Sequence, residues 1–300
     1  MNHAMTDKME QGASSPPAIG IAKKERNWWV YLILGVVSFI NTMPFLWLVL
    51  TAFKDRLVAF TVPPTWIFRP SIESFKVLIT FRRMHVFLFN SLIIAVSATI
   101  LSVGIGMFAA YALARFRFAG RDDLAFWILT NRMLPPVAVI LPMFMIFQTL
   151  HLLDTHLGLI ILYTGMQLPF VVWMLRGYFE DIPRQLEEAA MVDGDSWFGA
   201  FRKVTLPLVA PALVATAIFV LILSWNEYAF ALFLTGPNSK TLPPSVVTFM
   251  VERSVEWNQL GAACVFIALP ILVFVLLVQK HFVRGLTMGM MREQSNGGNG

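Results

Sequence analysis

Residues 180–207 read EDIPRQLEEAAMVDGDSWFGAFRKVTLP, a polar interruption between two long apolar runs, Leu157 to Tyr178 before it and Leu208 to Leu234 after it. The stretch predicts two short helices around a sharp turn. Pro183 suits a first helical turn with Asp181 as the cap before it, and Gln185 to Val192 are helix formers. Gly194 has the freedom to take the left-handed conformation that ends the first helix, and Asp195 or Ser196 suits the cap of the second. Trp197, Phe198, Phe201 and Val204 then put large apolar groups on a segment outside any apolar run. Such a helix needs a partner surface.

Further apolar runs cover Val30 to Ala52, Asn90 to Ala114, Leu124 to Leu150 and Leu260 to Val278. Each is long enough to cross about 30 Å of hydrocarbon as a helix rising ~1.5 Å per residue. The expected fold is an all-α integral membrane protein with six transmembrane helices, and six crossings return both termini to one side. Composition agrees: of 300 residues, 57% are hydrophobic and 14% charged, and the mean hydropathy is +0.67. That leaves too few polar side chains to coat a soluble surface. The single cysteine, Cys264, lies inside an apolar run, which excludes an intrachain disulfide.

The net charge of +5 would suggest nucleic acid in a soluble chain. Here the placement of the charges carries the information, and no nucleic-acid partner is expected. Fourteen lysines and arginines fall on one expected side, Lys23, Lys24, Arg26, Arg115, Arg117, Arg121, Arg202 and Lys203 among them, and eight on the other, six of these in Phe53 to Phe89 and none in the turn from Asp154 to His156. This bias predicts an inside amino terminus. Residues 1–29 read as a flexible inner tail, 30–283 as the membrane domain and 284–300 as a second inner tail; no cleavage site follows the first run, so it is expected to stay as an anchor. Two outward segments are long enough to have a role of their own. One is Phe53 to Phe89, with a short amphipathic helix around Ile72 to Ile79. The other is Thr235 to Gln259, bounded by Gly236 and Pro237, with a short helix through Val246 to Glu252.

Polar groups at membrane depth are functional candidates by default. Measured from the starts of their runs, Arg132 lies about 12 Å and Glu227 about 28 Å from the inner face, too far apart for a direct ion pair. Arg132, with its neighbour Asn131, fits either an inner gate or a structural role where Pro135, Pro136 and Pro142 disrupt the helix. Asn226 and Glu227 fit either the lining of a path or helix packing. Gly104 and Gly106, with Ala109 and Ala110, read as close helix packing. Trp28, Trp29, Trp47 and Trp66 fit an interfacial belt. His151 and His156 flank Asp154, and a short polar turn is a better account of them than a metal site. The chain has no HExxH or CxxC motif and no serine, histidine and aspartate set, so it is not expected to be an enzyme. It has no Gly-Lys pair and therefore no GxxxxGK phosphate loop.

The central stretch also carries a spaced pattern. Glu-Ala-Ala, three residues, Gly, nine residues, an aliphatic residue, one residue and Leu-Pro is met by Glu188, Ala189, Ala190, Gly194, Val204, Leu206 and Pro207, with valine where isoleucine is commoner. This resembles the EAA loop of binding-protein-dependent ABC importer permeases. The similarity extends over nearly the whole chain to the carbohydrate branch of that family, the six-span maltose type, through Asn90 and Ser91, through Arg132 to Pro135, through Ser224 to Tyr228 and through Phe282 to Gly289. Asp195 departs from the commoner alanine, and the tail runs on past Gly289.

The resemblance implies that Glu180 to Lys203 form a coupling helix docking in a cleft of a cytoplasmic ATPase. Glu188 would bond or ion-pair there, Ala189 and Ala190 would be small enough to enter, and Asp193, Gly194, Leu206 and Pro207 complete the coupling set. It implies a permease subunit that couples ATP hydrolysis elsewhere to alternating access for a sugar, glycoside or polyol. Expected partners are a homologous permease in a heterodimer, two ATPase subunits and an extracytoplasmic solute-binding protein. ATP and Mg are expected in the ATPase and no cofactor in this chain. The expected location is the bacterial cytoplasmic (inner) membrane, with both termini cytoplasmic. The alternative, an ion-coupled secondary sugar carrier, needs charges clustered near the midplane and internal repeats; Arg132 and Glu227 are too sparse for that.

Overall fold

The computed structural model describes residues 28–247, 249 and 255–296, with 277–296 as backbone only. The expected tail of residues 1–29 therefore lies almost wholly outside the described residues. By contact the chain falls into two units, 1–45 and 46–300. The described part of the first is the opening of helix α1 (Trp28–Ala52), whose apolar side chains, Phe39 and Phe45 among them, stand exposed. Such a surface suits hydrocarbon.

The second unit continues with α2 (Arg56–Ala59), α3 (Glu73–Thr80), α4 (Met84–Arg115), α5 (Arg121–Thr130), α6 (Pro136–Thr149), α7 (His156–Asp181), α8 (Arg184–Val192), α9 (Trp197–Ala200), α10 (Leu206–Trp225), α11 (Ala229–Leu234), α12 (Leu242–Ser245) and α13 (Trp257–Asn296). Among the described residues, five helical stretches are long and apolar enough to cross a membrane: α1, α4, α7, the run from Trp197 through α10, and the first part of α13. The expected third span is not one straight helix. Arg121–Met133 and Pro136–Thr149 meet at 95°, so the count reaches six only if this bent pair is a single span. The cause is the Pro135-Pro136 pair, which removes two backbone donors and drives Leu134 into extended geometry at φ −68°, ψ 123°.

Two other expected boundaries move. The fifth span ends at Trp225 instead of Leu234, because the chain breaks at Asn226–Tyr228 before α11. The last helix starts at Trp257 and runs on to Asn296 with no break at 283. In the segment after Gly236, the described helix is α12, opened by Pro243 and Pro244 in its first turn, where a missing N–H is harmless. Much of the expected helix from Val246 to Glu252 lies outside the described residues.

Helices α4, α7 and α10 form the packed centre. Ala110, Val171, Leu175, Phe179, Val209 and Val220 bury there together. Gly106 allows α4 to approach α7 closely, since a Cβ there would lie 2.6 Å from Val171 Cγ1, whereas Gly104 faces open space. Ser102 Oγ lies 2.6 Å from Ala98 O and 3.3 Å from Thr164 O of α7, so a polar side chain within the contact is satisfied without water.

Candidate functional site

The segment between α7 and α10 is two helices around a sharp turn, as its sequence predicts, with the starting residues shifted. Asp181 closes α7 instead of capping α8, and Pro183 holds the cap position. A proline there supplies an extended entry at φ −58°, ψ 129° and asks for no N–H partner. At the other end Gly194 sits at φ +97°. Its N–H donates to Met191 O at 3.1 Å and that of Asp195 to Ala190 O at 3.0 Å. This is the pair of bonds with which a left-handed residue closes an α-helix. Ser196 caps α9, its Oγ accepting the Gly199 N–H at 3.1 Å, while Asp195 pairs with Lys203 at 2.6 Å.

The faces of these helices are unlike. Glu188, Ala189 and Asp193 are exposed and Ala190 is half-buried; Leu206 packs against the core, and Pro207 stands exposed in the first turn of α10. Trp197 and Phe198 are exposed, with Trp197 resting on Phe116 at 5.7 Å between ring centroids. Phe201, expected on the same outward aromatic face, turns inward. Phe201 opens the π-helical turn Phe201–Thr205 and packs on Tyr111 (4.6 Å) and Phe179 (6.3 Å).

Glu187, next to Glu188, is the residue that sequence reasoning passed over. Its side chain and that of Arg115 are each 2% exposed, and they form an ion pair with Arg115 Nε 2.9 Å from Glu187 Oε2. Thr205 Oγ1 donates to the same carboxylate, and Arg115 Nη2 donates to Ile182 O at 3.1 Å. Arg184 Nη2 returns a bond to Ala114 O at 3.0 Å. The end of α4 and both halves of the segment are thereby tied together. Two adjacent glutamates on a helix project about 100° apart, so they need not share a face.

At the other end of α4 and α7 lies a second polar hub. Asp154, at φ +53°, accepts from the N–H groups of Gly236 (2.8 Å), Ser239 (2.9 Å) and Asn238 (3.2 Å), from Asn238 Nδ2 (2.9 Å) and from Ser239 Oγ (3.0 Å). Asn90 Nδ2 donates to Asn238 O and Lys240 O at 3.0 Å each, its Oδ1 lies 2.8 Å from His156 Nε2, and Ser91 Oγ accepts the Leu242 N–H. Asn90 and Ser91 thus hold the 236–242 loop, and His156 serves this network. Partial burial pushes the Asp154 carboxyl up, but the N–H groups of Ser239, Gly236 and Asn238 outweigh it and hold it below its ordinary 3.8. A depressed carboxyl contributes loop order above that ordinary value and loses it as pH falls through its folded pKa. Asp154→Ala should therefore speed amide hydrogen exchange at Gly236, Asn238 and Ser239 at near-neutral pH by at least about tenfold, the equivalent of ~1.4 kcal/mol. Unchanged exchange at these amides would show that the carboxylate does not hold the loop.

The four polar candidates at membrane depth do not converge. Asn131 Nδ2 donates to Trp127 O at 2.8 Å and Asn226 Nδ2 to Ile222 O at 2.9 Å, each within its own helix end. Arg132 is exposed at the bend after α5, its guanidinium 5.0 Å from the Phe170 ring centroid. Glu227 accepts the Tyr163 hydroxyl at 2.8 Å and the N–H groups of Phe230 and Ala231 at 3.0 and 3.1 Å, capping α11 and tying it to α7.

Residues 102–288, from the middle of α4 through most of α13, match the family model described as binding-protein-dependent transport system inner membrane component. The chain is 35% identical over 257 residues to the probable ABC transporter permease protein y4oR of Sinorhizobium fredii, covering 86% of this chain and 92% of that protein. It is 33% identical over 269 residues to the trehalose/maltose transport system permease protein MalG of Thermococcus litoralis, covering 88% and 96%. Among solved structures, a chain of a bacterial ABC transporter involved in import of the acidic polysaccharide alginate superposes with a TM-score of 0.71 at 22% identity, over 84% of this chain and 94% of that one. The fold is shared.

Proposed function

We propose the function that follows from one premise: this chain belongs to the binding-protein-dependent transport system inner membrane components. It is a permease subunit of an ATP-driven importer, a multi-pass protein of the bacterial inner membrane that forms half of a translocation path beside a homologous permease. A solute-binding protein delivers the ligand, and a pair of ATPase subunits supplies the energy. ATP and Mg belong to those subunits, in keeping with a sequence that has no GxxxxGK loop. The cargo is a sugar, glycoside or polyol; the support is the resemblance to a trehalose/maltose system permease at 33% identity.

One observation carries the coupling role: α8 presents Glu188 and Ala189 outward while Glu187 anchors its opposite face to the bundle. In this reading Glu188, Ala189, Ala190, Asp193, Gly194, Leu206 and Pro207 make up the ATPase-coupling segment. Its end of the bundle, with both termini, faces the cytoplasm, and the loop held by Asp154 faces the binding protein. Asn131 and Arg132, exposed at the bend after α5, and Asn226, exposed at the end of α10, suit the path or its gate. ATP-driven closure of the ATPases draws two such segments together and reorients the path by rigid-body motion.

Uptake into vesicles holding the assembled complex should require ATP and survive a protonophore and a sodium ionophore. Uptake without ATP that an ionophore abolishes would instead favour an ion-coupled carrier. Shortening the loop at Ser239 to Pro244 should leave membrane insertion intact and weaken the binding protein's stimulation of ATP hydrolysis. Unchanged stimulation in the reconstituted complex would remove the loop from that role.

A further inference from the structure

We infer that the Arg115–Glu187 ion pair is the internal joint of coupling, the contact through which displacement of α8 is passed to α4. The inference rests on the coupling role given above to α8 and assigns positioning roles to two residues that do not face the docking surface.

Glu187 and Arg115 are both buried to 2% side-chain exposure at the junction of four elements. Arg115 is the last residue of α4; its Nε meets Glu187 on α8, and its Nη2 meets Ile182 O at the exit from α7. Glu187 also receives Thr205 from the π turn that leads into α10. A paired charge with its polar capacity used in this way fixes direction, because α8 cannot slide or swing against α4 without leaving one buried charge unpaired. Apolar contact alone is non-directional and would permit that slippage. The Arg184 bond to Ala114 O reinforces the same seam one residue before Arg115. Glu188, on the exposed face, and Glu187, on the buried one, therefore divide the work: one meets the partner, and the other transmits its movement.

The test compares three variants in the complete reconstituted importer: Glu187→Gln, the double variant Arg115→Met/Glu187→Met, and Glu188→Lys. The double variant leaves neither charge stranded, so it keeps the seam packed if Glu187→Gln alone harms assembly. The readouts are ATPase subunit retained on purification and substrate transported per ATP hydrolysed. Glu187→Gln and the double variant should retain the ATPase subunits and hydrolyse ATP, with transport per ATP lower by at least about fivefold. A wild-type ratio in the double variant overturns the inference. So does a double variant that loses ATPase retention and transport in parallel, since the pair then serves only to hold the fold. Glu188→Lys separates this from failure of the underlying reading: if it keeps full ATPase retention and transport, α8 is not the docking helix at all. If it loses both while the double variant stays fully coupled, only the joint is refuted.

Discussion

Glu188→Lys and Gly194→Val should each insert in the membrane and pair with the partner permease, yet retain less ATPase subunit on co-purification and lose transport. They act by different routes. Glu188 is exposed on α8, so reversing its charge leaves the fold alone and changes only what a partner meets. Gly194 sits at φ +97°, and a Cβ there meets nothing within 4 Å, so the whole penalty of valine is in the backbone. That penalty is roughly 1–2 kcal/mol. It falls on the turn whose two bonds, to Met191 O and Ala190 O, close α8 and aim α9. Relieving the strain means opening the turn, which redirects Trp197 and Phe198. Gly194→Asn, a residue that tolerates the left-handed region, should be much milder than valine. Wild-type ATPase retention and transport in Glu188→Lys would remove the coupling assignment, and the same result in Gly194→Val would show that the turn does not aim α9.

Gly194 was legible because the requirement is local: a short helix, a reversal and a second cap leave a positive φ that glycine satisfies best. The apolar runs were legible for the same kind of reason, since hydrocarbon thickness fixes their length whatever their neighbours. Direction was not. The run from Leu124 to Leu150 is interrupted only by Thr130 to Arg132 before its last few residues, and the geometry imposed by Pro135 and Pro136 turns it through 95°. The depth assigned to Arg132 assumed that Leu124 to Leu150 crosses as one straight helix, and the 95° turn just after Met133 removes that assumption. Phe201 was misplaced because the rings that draw it inward, Tyr111 and Phe179, belong to α4 and α7 and leave no trace near it in the sequence.

Residues whose roles depend on distant partners were the least visible. Nothing near Glu187 distinguishes it from Glu188; its partner Arg115 is 72 residues away. Asp154 read correctly as a turn residue, but the amides that its carboxylate gathers lie 82 to 85 residues further on. Asn90 and Ser91 stood out by resemblance alone and acquire a physical reason only when the 236–242 loop is seen bonded to them.

The other large effect is expected at the helix contact. Gly106→Ala should destabilise the protein, because its new methyl would sit 2.6 Å from Val171 Cγ1 and 2.9 Å from Val171 Cβ. Val171 is fully buried and β-branched, so it has no flexible end to move aside. Overpacking of this kind costs about 1–3 kcal/mol. Against it stands the gain from replacing glycine in a helix, roughly 0.5–1 kcal/mol, so the steric term wins. Gly104→Ala, with nothing within 4 Å of its Cβ, keeps only the gain and should be neutral or slightly stabilising. Thermal unfolding of the detergent-purified complex should thus rank Gly106→Ala well below both wild type and Gly104→Ala. Adding Val171→Ala removes the nearer methyl but not the Cβ, so relief should be partial, and Val171→Gly should relieve the clash further. Equal unfolding temperatures for the two alanine variants would mean that α4 and α7 do not meet at Gly106, and the packed centre built on that contact would have to be redrawn.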